Sequence, residues 1–234
     1  MTDERFYDQT GRKIIVTGHY GSGKTEFAVS LAMLLAAKGH ENLALVDLDI
    51  VNPYFRSRER RDMLGEAGIP VYGSAFEGET TIEIPALGAS VRAPLEDEKC
   101  RVIIDVGGND TGALVLNQFR KYLGGEDTTV FSIVNASRPD TSNLDGALEH
   151  IAAIEAQTGL KVTGLVNNGH MLRETTADTV KRGHDLCSEV CRATGKELWC
   201  DCYPEGIVDP SDLEGLSGRL MPMGLYMRPT WLDK

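Results

Sequence analysis

The chain has 234 residues, 41% of them hydrophobic and 25% charged, with a formal net charge of −11. That is enough to bury the core of one α/β domain without disulfide or metal staples, and we read residues 1–234 as a single domain. An acidic surface of this size repels phosphate backbones and anionic lipid, which argues against nucleic-acid and membrane partners.

The opening MTDERFYDQT is polar and acidic, unlike a secretory or transit segment. Residues 27–37 are the longest nearly apolar stretch and are too short to span a bilayer. A cytoplasmic protein is expected. In that reducing compartment five cysteines do not suggest a disulfide framework.

The first predicted strand, Lys13–Thr17, runs into GHYGSGKT, which fits the spacing Gly-x-x-x-x-Gly-Lys-Ser/Thr. Glycines let backbone N–H groups turn toward phosphate oxygens without a Cβ in the way. The loop residues Gly18, Gly21, Ser22, Gly23, Lys24, Thr25 and Glu26 form the predicted nucleotide-binding set. Lys24 reaches the β- and γ-phosphates, and the Thr25 hydroxyl is a Mg²⁺ ligand. Phe27, Ala28, Leu31, Leu34 and Leu35 then recur at helical spacing. A helix over Thr25–Lys38 therefore aims its positive end at the phosphates.

A second strand, Leu43–Leu48, delivers Asp47 and Asp49. Asn52-Pro53 marks a turn, with Tyr54 and Phe55 either packed on the sheet or facing a partner. The basic run 56–61 opens a helix over Ser57–Ala67. A short strand, Pro70–Tyr72, precedes residues 77–97, which we read as an irregular connection rich in Gly and Pro. Strand Cys100–Asp105 ends in Asp105, followed by Gly107 and Gly108. An apolar strand ending in Asp and then glycine is the expected metal-side partner of a phosphate loop. Helix Gly112–Leu123, strand Thr129–Val134, helix Thr141–Gln157, strand Lys161–Val166, helix Glu174–Ala193 and strand Leu198–Cys202 complete the alternation. The fold class that follows is α/β, a mostly parallel central sheet with helices on both faces. Ligands bind such sheets at the carboxyl ends of their strands.

Cys187 and Cys191 are one helical turn apart, and Cys200 and Cys202 share one side of a strand. Four such thiols can hold a soft metal, yet neither spacing is that of a zinc knuckle. Burial as small apolar core residues is the alternative.

GHYGSGKT, then a strand ending Asp-x-Asp, then IIDVGG resembles the SIMIBI class of phosphate-loop NTPases. That class includes the MinD and ParA positioning ATPases, the nitrogenase iron protein, arsenite-pump ATPases and the ATPase that matures carbon monoxide dehydrogenase. GLVNN and YPEG look like its later strand with an adenine-reading Asn and its proline loop over the base. The resemblance implies ATP and Mg²⁺ as cofactors. It implies that Lys24 and Asp49 are catalytic, with Asp49 orienting the attacking water. Mg²⁺ would be held by Thr25, by Asp105 through water, and by support from Asp47. The Gly108 N–H would sense the γ-phosphate. Asn168, or Asn167 in its place, would bond adenine under Pro204.

One departure stands out. Many members carry a second lysine at the loop start that acts across an ATP-bound dimer. Here His19 and Tyr20 stand at those positions, and Arg56 or Arg58 could supply the cation instead. The implied function is a slowly hydrolysing Mg·ATP switch ATPase that forms an ATP-dependent homodimer and acts on a protein partner, with metalloenzyme maturation as a candidate task. A small-molecule kinase or ligase, with an acceptor pocket in 77–97, and a non-hydrolysing ATP-sensing scaffold are the alternatives. The end segment GLYMRPTWLDK is too interrupted and too poor in basic residues for a membrane-targeting helix.

Overall fold

A computed structural model describes residues 6–49, 60–73, 84–108, 115–216 and 219–227. Eight strands form one sheet: β1 Lys13–Gly18, β2 Leu43–Asp47, β3 Val71–Gly73, β4 Arg101–Asp105, β5 Thr128–Val134, β6 Gly164–Asn167, β7 Glu197–Pro204 and β8 Leu220–Met223. Their spatial order is β3-β2-β4-β1-β5-β6-β7-β8, and every neighbouring pair is parallel. The expected fold class is therefore the observed one. The central strands β1, β2 and β4 are buried on both faces, which is why each carries consecutive apolar residues rather than an alternating pattern.

Five helices of six or more residues lie within the described residues: α1 Lys24–Ala37, α2 Arg61–Glu66, α3 Ile84–Glu96, α4 Leu144–Thr158 and α5 Ala177–Thr194. One face of the sheet packs Phe27, Leu31 and Leu35 of α1 and Leu64 of α2 against Ile14, Leu45, Ile103 and Phe131. The other packs Val91 and Leu95 of α3, Ile151 and Ile154 of α4, and Leu186 and Val190 of α5 against Ile15, Val46, Ile104 and Val130. α4 starts where the Asn143 side chain accepts from the Gly146 N–H, and α5 starts at a reciprocal Thr176–Thr179 capping box.

The structure corrects several expected boundaries. The stretch 77–97 is not an irregular connection throughout, because α3 occupies Ile84–Glu96 with Pro94 in its last turn. The strand expected from Lys161 begins at Gly164. The Thr163 hydroxyl, rather than a ladder carbonyl, accepts the Val130 N–H at 2.9 Å, so regular pairing starts one residue later. β8, with Pro222 inside a run of four residues, carries no strand signal in the sequence. Among the described residues it pairs with β7 alone, at the edge of the sheet, a position where Pro222 is tolerated.

The order reverses around β1: chain direction runs toward β3 on one side and toward β8 on the other. The carboxyl ends of β1, β2 and β4 thus meet on one rim, with those of β5, β6 and β7 beside them.

Candidate nucleotide site

The loop between β1 and α1 has the backbone that its glycines permit. Gly18, Gly21 and Gly23 have φ of 155°, 75° and 84°. At its φ of 84° a side chain on Gly23 would be strained, and its Cβ would lie 2.4 Å from the Asn168 side-chain nitrogen and displace it. Gly23 also caps α1 without any side chain accepting the helix's first N–H groups. Those donors and the helix dipole are left for an anion. Lys24, Thr25 and Ser22 are buried at the same place, and the Ser22 hydroxyl has no hydrogen-bond partner. A buried hydroxyl and a buried ammonium around uncapped N–H groups make a cradle for phosphate oxygens.

Asp47 and Asp105 are register partners on adjacent strands β2 and β4, and both are fully buried. Asp47 Oδ1 accepts the Asp49 N–H at 3.0 Å. Neither Asp105 oxygen has a well-formed hydrogen bond. Burial, then the charge of Asp47, pushes the Asp105 carboxyl up to about 7, against the opposing pull of Lys24 and the nearby Thr25 hydroxyl. Two orphaned carboxylate oxygens beside Thr25 fit a divalent cation. Among the described residues no three His, Cys, Asp or Glu side chains converge as a direct ligand set. A cation here would therefore be completed by the Thr25 hydroxyl, phosphate oxygens and water, as is usual for Mg²⁺.

Gly108 lies directly against the loop. A Cβ there would be 2.8 Å from the Gly18 carbonyl, 2.9 Å from the Tyr20 nitrogen and 3.0 Å from Lys24 Nζ. The end of β4 and the phosphate loop therefore touch through backbone. A cavity of about 230 Å³ opens beside this contact, lined by His19, Gly107, Gly108 and the α4 residues His150, Ile154 and Gln157.

The remaining predicted residues divide. Asn168 reaches the loop and donates to the Ser22 carbonyl at 2.8 Å. Pro204 ends β7 on the same rim. The Glu26 carboxylate turns away from the cradle, accepting the N–H groups of Tyr226 at 2.7 Å and Met227 at 3.0 Å. Only its backbone can serve the loop. Asn52, Pro53, Tyr54, Phe55, Arg56 and Arg58 lie outside the described residues.

Two residues of the rim carried no signal in the sequence. Arg138, in the turn after β5, donates from Nε to the Gly21 carbonyl at 2.8 Å. His170 packs on Gly23, with Nε2 2.8 Å from where a Cβ would lie. Burial, and then the charge of Arg138, lowers its pKa to about 4. Neither lies in a phosphate-binding pattern; the sheet order alone brings them to the loop.

An in-register carboxylate beneath a glycine loop, with a buried lysine at the helix start, decides the architecture. The fold is that of the phosphate-loop NTPases.

It matches the FtsY of Thermotoga maritima with a TM-score of 0.55 at 21% identity, over 80% of this chain and 60% of that one. It matches the signal recognition particle 54 kDa protein of Aeropyrum pernix in complex with GDP with a TM-score of 0.52, also at 21% identity, over 81% of this chain and 41% of that one. Among curated proteins, the signal recognition particle 54 kDa proteins of Pyrobaculum neutrophilum and Pyrobaculum calidifontis are 27% and 26% identical over 78% and 76% of this chain. The chain spans only 38% and 37% of their lengths. No family model matches. The sequence likeness thus runs to the signal recognition particle proteins, within the same broad class as the resemblance drawn from the motifs.

The cysteines are divided by the sheet. Cys200 and Cys202 pack in the α1 layer, whereas Cys187 and Cys191 belong to the layer of α4 and α5. Burial pushes the Cys187 and Cys202 thiols well above the usual range. No described helix is long and apolar enough to cross a membrane.

Proposed function

We propose that this chain is a Mg²⁺-dependent nucleoside-triphosphate hydrolase that uses the bound triphosphate as a conformational switch toward a protein partner. The observation that carries this reading is the approach of Gly108 to Gly18, Tyr20 and Lys24 Nζ. A γ-phosphate entering the cradle must meet the Gly108 backbone as well as the lysine. Its presence or loss is thereby transmitted to the segment after β4. Lys24 neutralises charge on the transferring phosphoryl group, and Asp49, buried beside Asp47, orients the attacking water. Bound Mg²⁺, held by Thr25 and by Asp105 through water, with Asp47 behind it, would neutralise charge on the β- and γ-phosphates. A triphosphate-dependent pairing of two copies belongs to the same proposal, with the His19–Tyr20 turn at the contact.

The base we assign first is guanine, because the similar structures include a signal recognition particle protein in complex with GDP and an FlhF complexed with GTP and Mg²⁺. Adenine is the second reading. Guanine presents N1–H and N2–H₂ donors that need an acceptor, and residues 169–172 after Asn168 (Gly, His, Met, Leu) bring no carboxylate. Adenine needs only the amide and backbone groups that Asn168 and the Pro204 turn can offer. Metalloenzyme maturation is not part of the proposal.

Calorimetric titration with Mg·GTP and Mg·ATP tests both levels. Mg·GTP should bind at least tenfold more tightly than Mg·ATP, and the reverse order would replace guanine by adenine. Lys24→Ala should weaken that binding by about a hundredfold or more, since it removes a cation from a buried charge pair. Binding within a few-fold of the parent would remove the phosphate-loop reading.

A further inference from the structure

The rim described above is braced from beneath by a buried polar chain that the reaction itself does not use. Asp201, in the middle of β7, is fully buried. Its Oδ1 accepts from Asn167 Nδ2 at 2.7 Å, and its Oδ2 is 2.8 Å from Nδ1 of His184 on α5. Asn167 Nδ2 spends its other hydrogen on the Val180 carbonyl at 2.9 Å, and Oδ1 accepts the Gly169 N–H at 3.0 Å. Both donors and the acceptor of this amide are thus fixed, and swapping its O and N would place like against like at every contact. The fit is tight: a Cβ on Gly183 would fall 2.0 Å from Asn167 Oδ1.

The consequence passes to the next residue. Asn167 is clamped on one side of β6, the Gly169 N–H is bound two residues later, and the Asn168 N–H is bound to the Val134 carbonyl at 2.8 Å, so together these contacts set the course of the chain at Asn168. That course delivers its side chain to the Ser22 carbonyl at 2.8 Å, and it seats His170 against Gly23. Ser22 and Gly23 are the loop residues immediately before Lys24.

We infer that Asp201 and Asn167 are positioning residues for nucleotide binding: they hold the β6 turn so that Asn168 fixes the phosphate loop in its binding geometry. This rests on the nucleotide-binding reading and deepens it. Neither residue is free to touch the nucleotide: the Asn167 amide, expected from the sequence as the fallback partner for adenine, is wholly engaged by Asp201, Val180 and Gly169. Their effect lies in how far the loop is ordered before the ligand arrives, so their loss raises Kd and KM and leaves kcat at saturation nearly unchanged.

The test uses the full chain and a non-hydrolysable analogue of whichever of GTP or ATP the parent binds, with Mg²⁺. Asp201→Ala and Asn167→Ala should each weaken binding tenfold or more, with kcat at saturation within threefold of the parent. Asp201→Asn keeps an acceptor for Asn167 and should bind within threefold of the parent. Combining Asp201→Ala with Asn168→Ala should cost little more than Asn168→Ala alone, because both act through one hydrogen bond. Asn167→Ser, a smaller lesion, carries the same expectation if Asp201→Ala does not fold. Folded variants with lowered Tm but unchanged Kd would overturn the inference, as would an Asp201→Asn protein as impaired as Asp201→Ala. A parent that binds neither nucleotide would instead remove the reading on which it rests.

Discussion

Arg138 donates its Nε–H to the Gly21 carbonyl, 2.8 Å away, across 117 residues of sequence. The guanidinium closes over the crest of the phosphate loop, on the side where His170 lies. Arg138→Ala should therefore weaken triphosphate binding about three- to tenfold, the range for losing one charge-assisted bond that is partly exposed. Arg138→Lys should not restore it, because lysine cannot present a planar Nε–H to that carbonyl. Calorimetry on the three proteins decides this, and a lysine variant equal to the parent would show that charge alone matters.

Asp49→Ala should leave triphosphate binding nearly intact and lower turnover by about a hundredfold, since orienting the attacking water matters chiefly in the transition state. Phosphate release and binding measured on the same preparation separate the two. An equal loss of both would move Asp49 into the metal shell beside Asp47.

Glu26 gives a prediction for stability against pH. Burial raises its pKa from 4.5 to about 7, and the N–H groups of Tyr226 and Met227 only partly offset that. A raised pKa means that the folded chain holds a proton which the unfolded chain has released. The contribution is complete below about pH 4.5 and lost as pH rises through 7. Comparing the parent with Glu26→Gln by chemical denaturation at pH 5 and pH 7.5 isolates the effect. The parent should lose up to about 3 kcal/mol more than the variant across that interval, at about 1.4 kcal/mol per unit. Parallel curves would show that Glu26 titrates normally.

The double substitution of Cys200 and Cys202 by alanine should cost about 2 kcal/mol and release no metal, as expected for small apolar residues in a packed layer. Elemental analysis of anaerobically purified protein checks the second half. About one zinc, nickel or iron per one or two chains would overturn it.

The parallel sheet, the phosphate loop and the two carboxylate strands were legible because each is local. An apolar run, its glycines and its terminal Asp lie within a dozen residues of sequence. What stayed hidden depends on distance or on a broken pattern. α3 was masked by Pro94 and its glycine, and β8 by Pro222 in a strand of four residues. Glu26 sits in the loop motif, yet its carboxylate serves Tyr226 and Met227, 200 and 201 residues away. Arg138 and Asp201 belong to no motif at all, and only the strand order brings them to the rim. The cysteines illustrate the same limit. Their spacing within the helix and the strand was readable, but their placement on opposite faces of the sheet was not.

The position of β1 in the sheet also constrains how the protein comes into being. Its two neighbours pair Lys13 with Val102 on one side and with Thr128 on the other. A nascent chain thus exposes the phosphate loop long before the strands that flank it have been synthesised. Pairings across such separations form late and leave apolar strand edges open in the meantime. On the proposed reading, nucleotide capture therefore waits until β4 and β5 have been made and docked on either side of β1. A cell in which the triphosphate is abundant would selectively stabilise those copies whose central strands have docked in the right order.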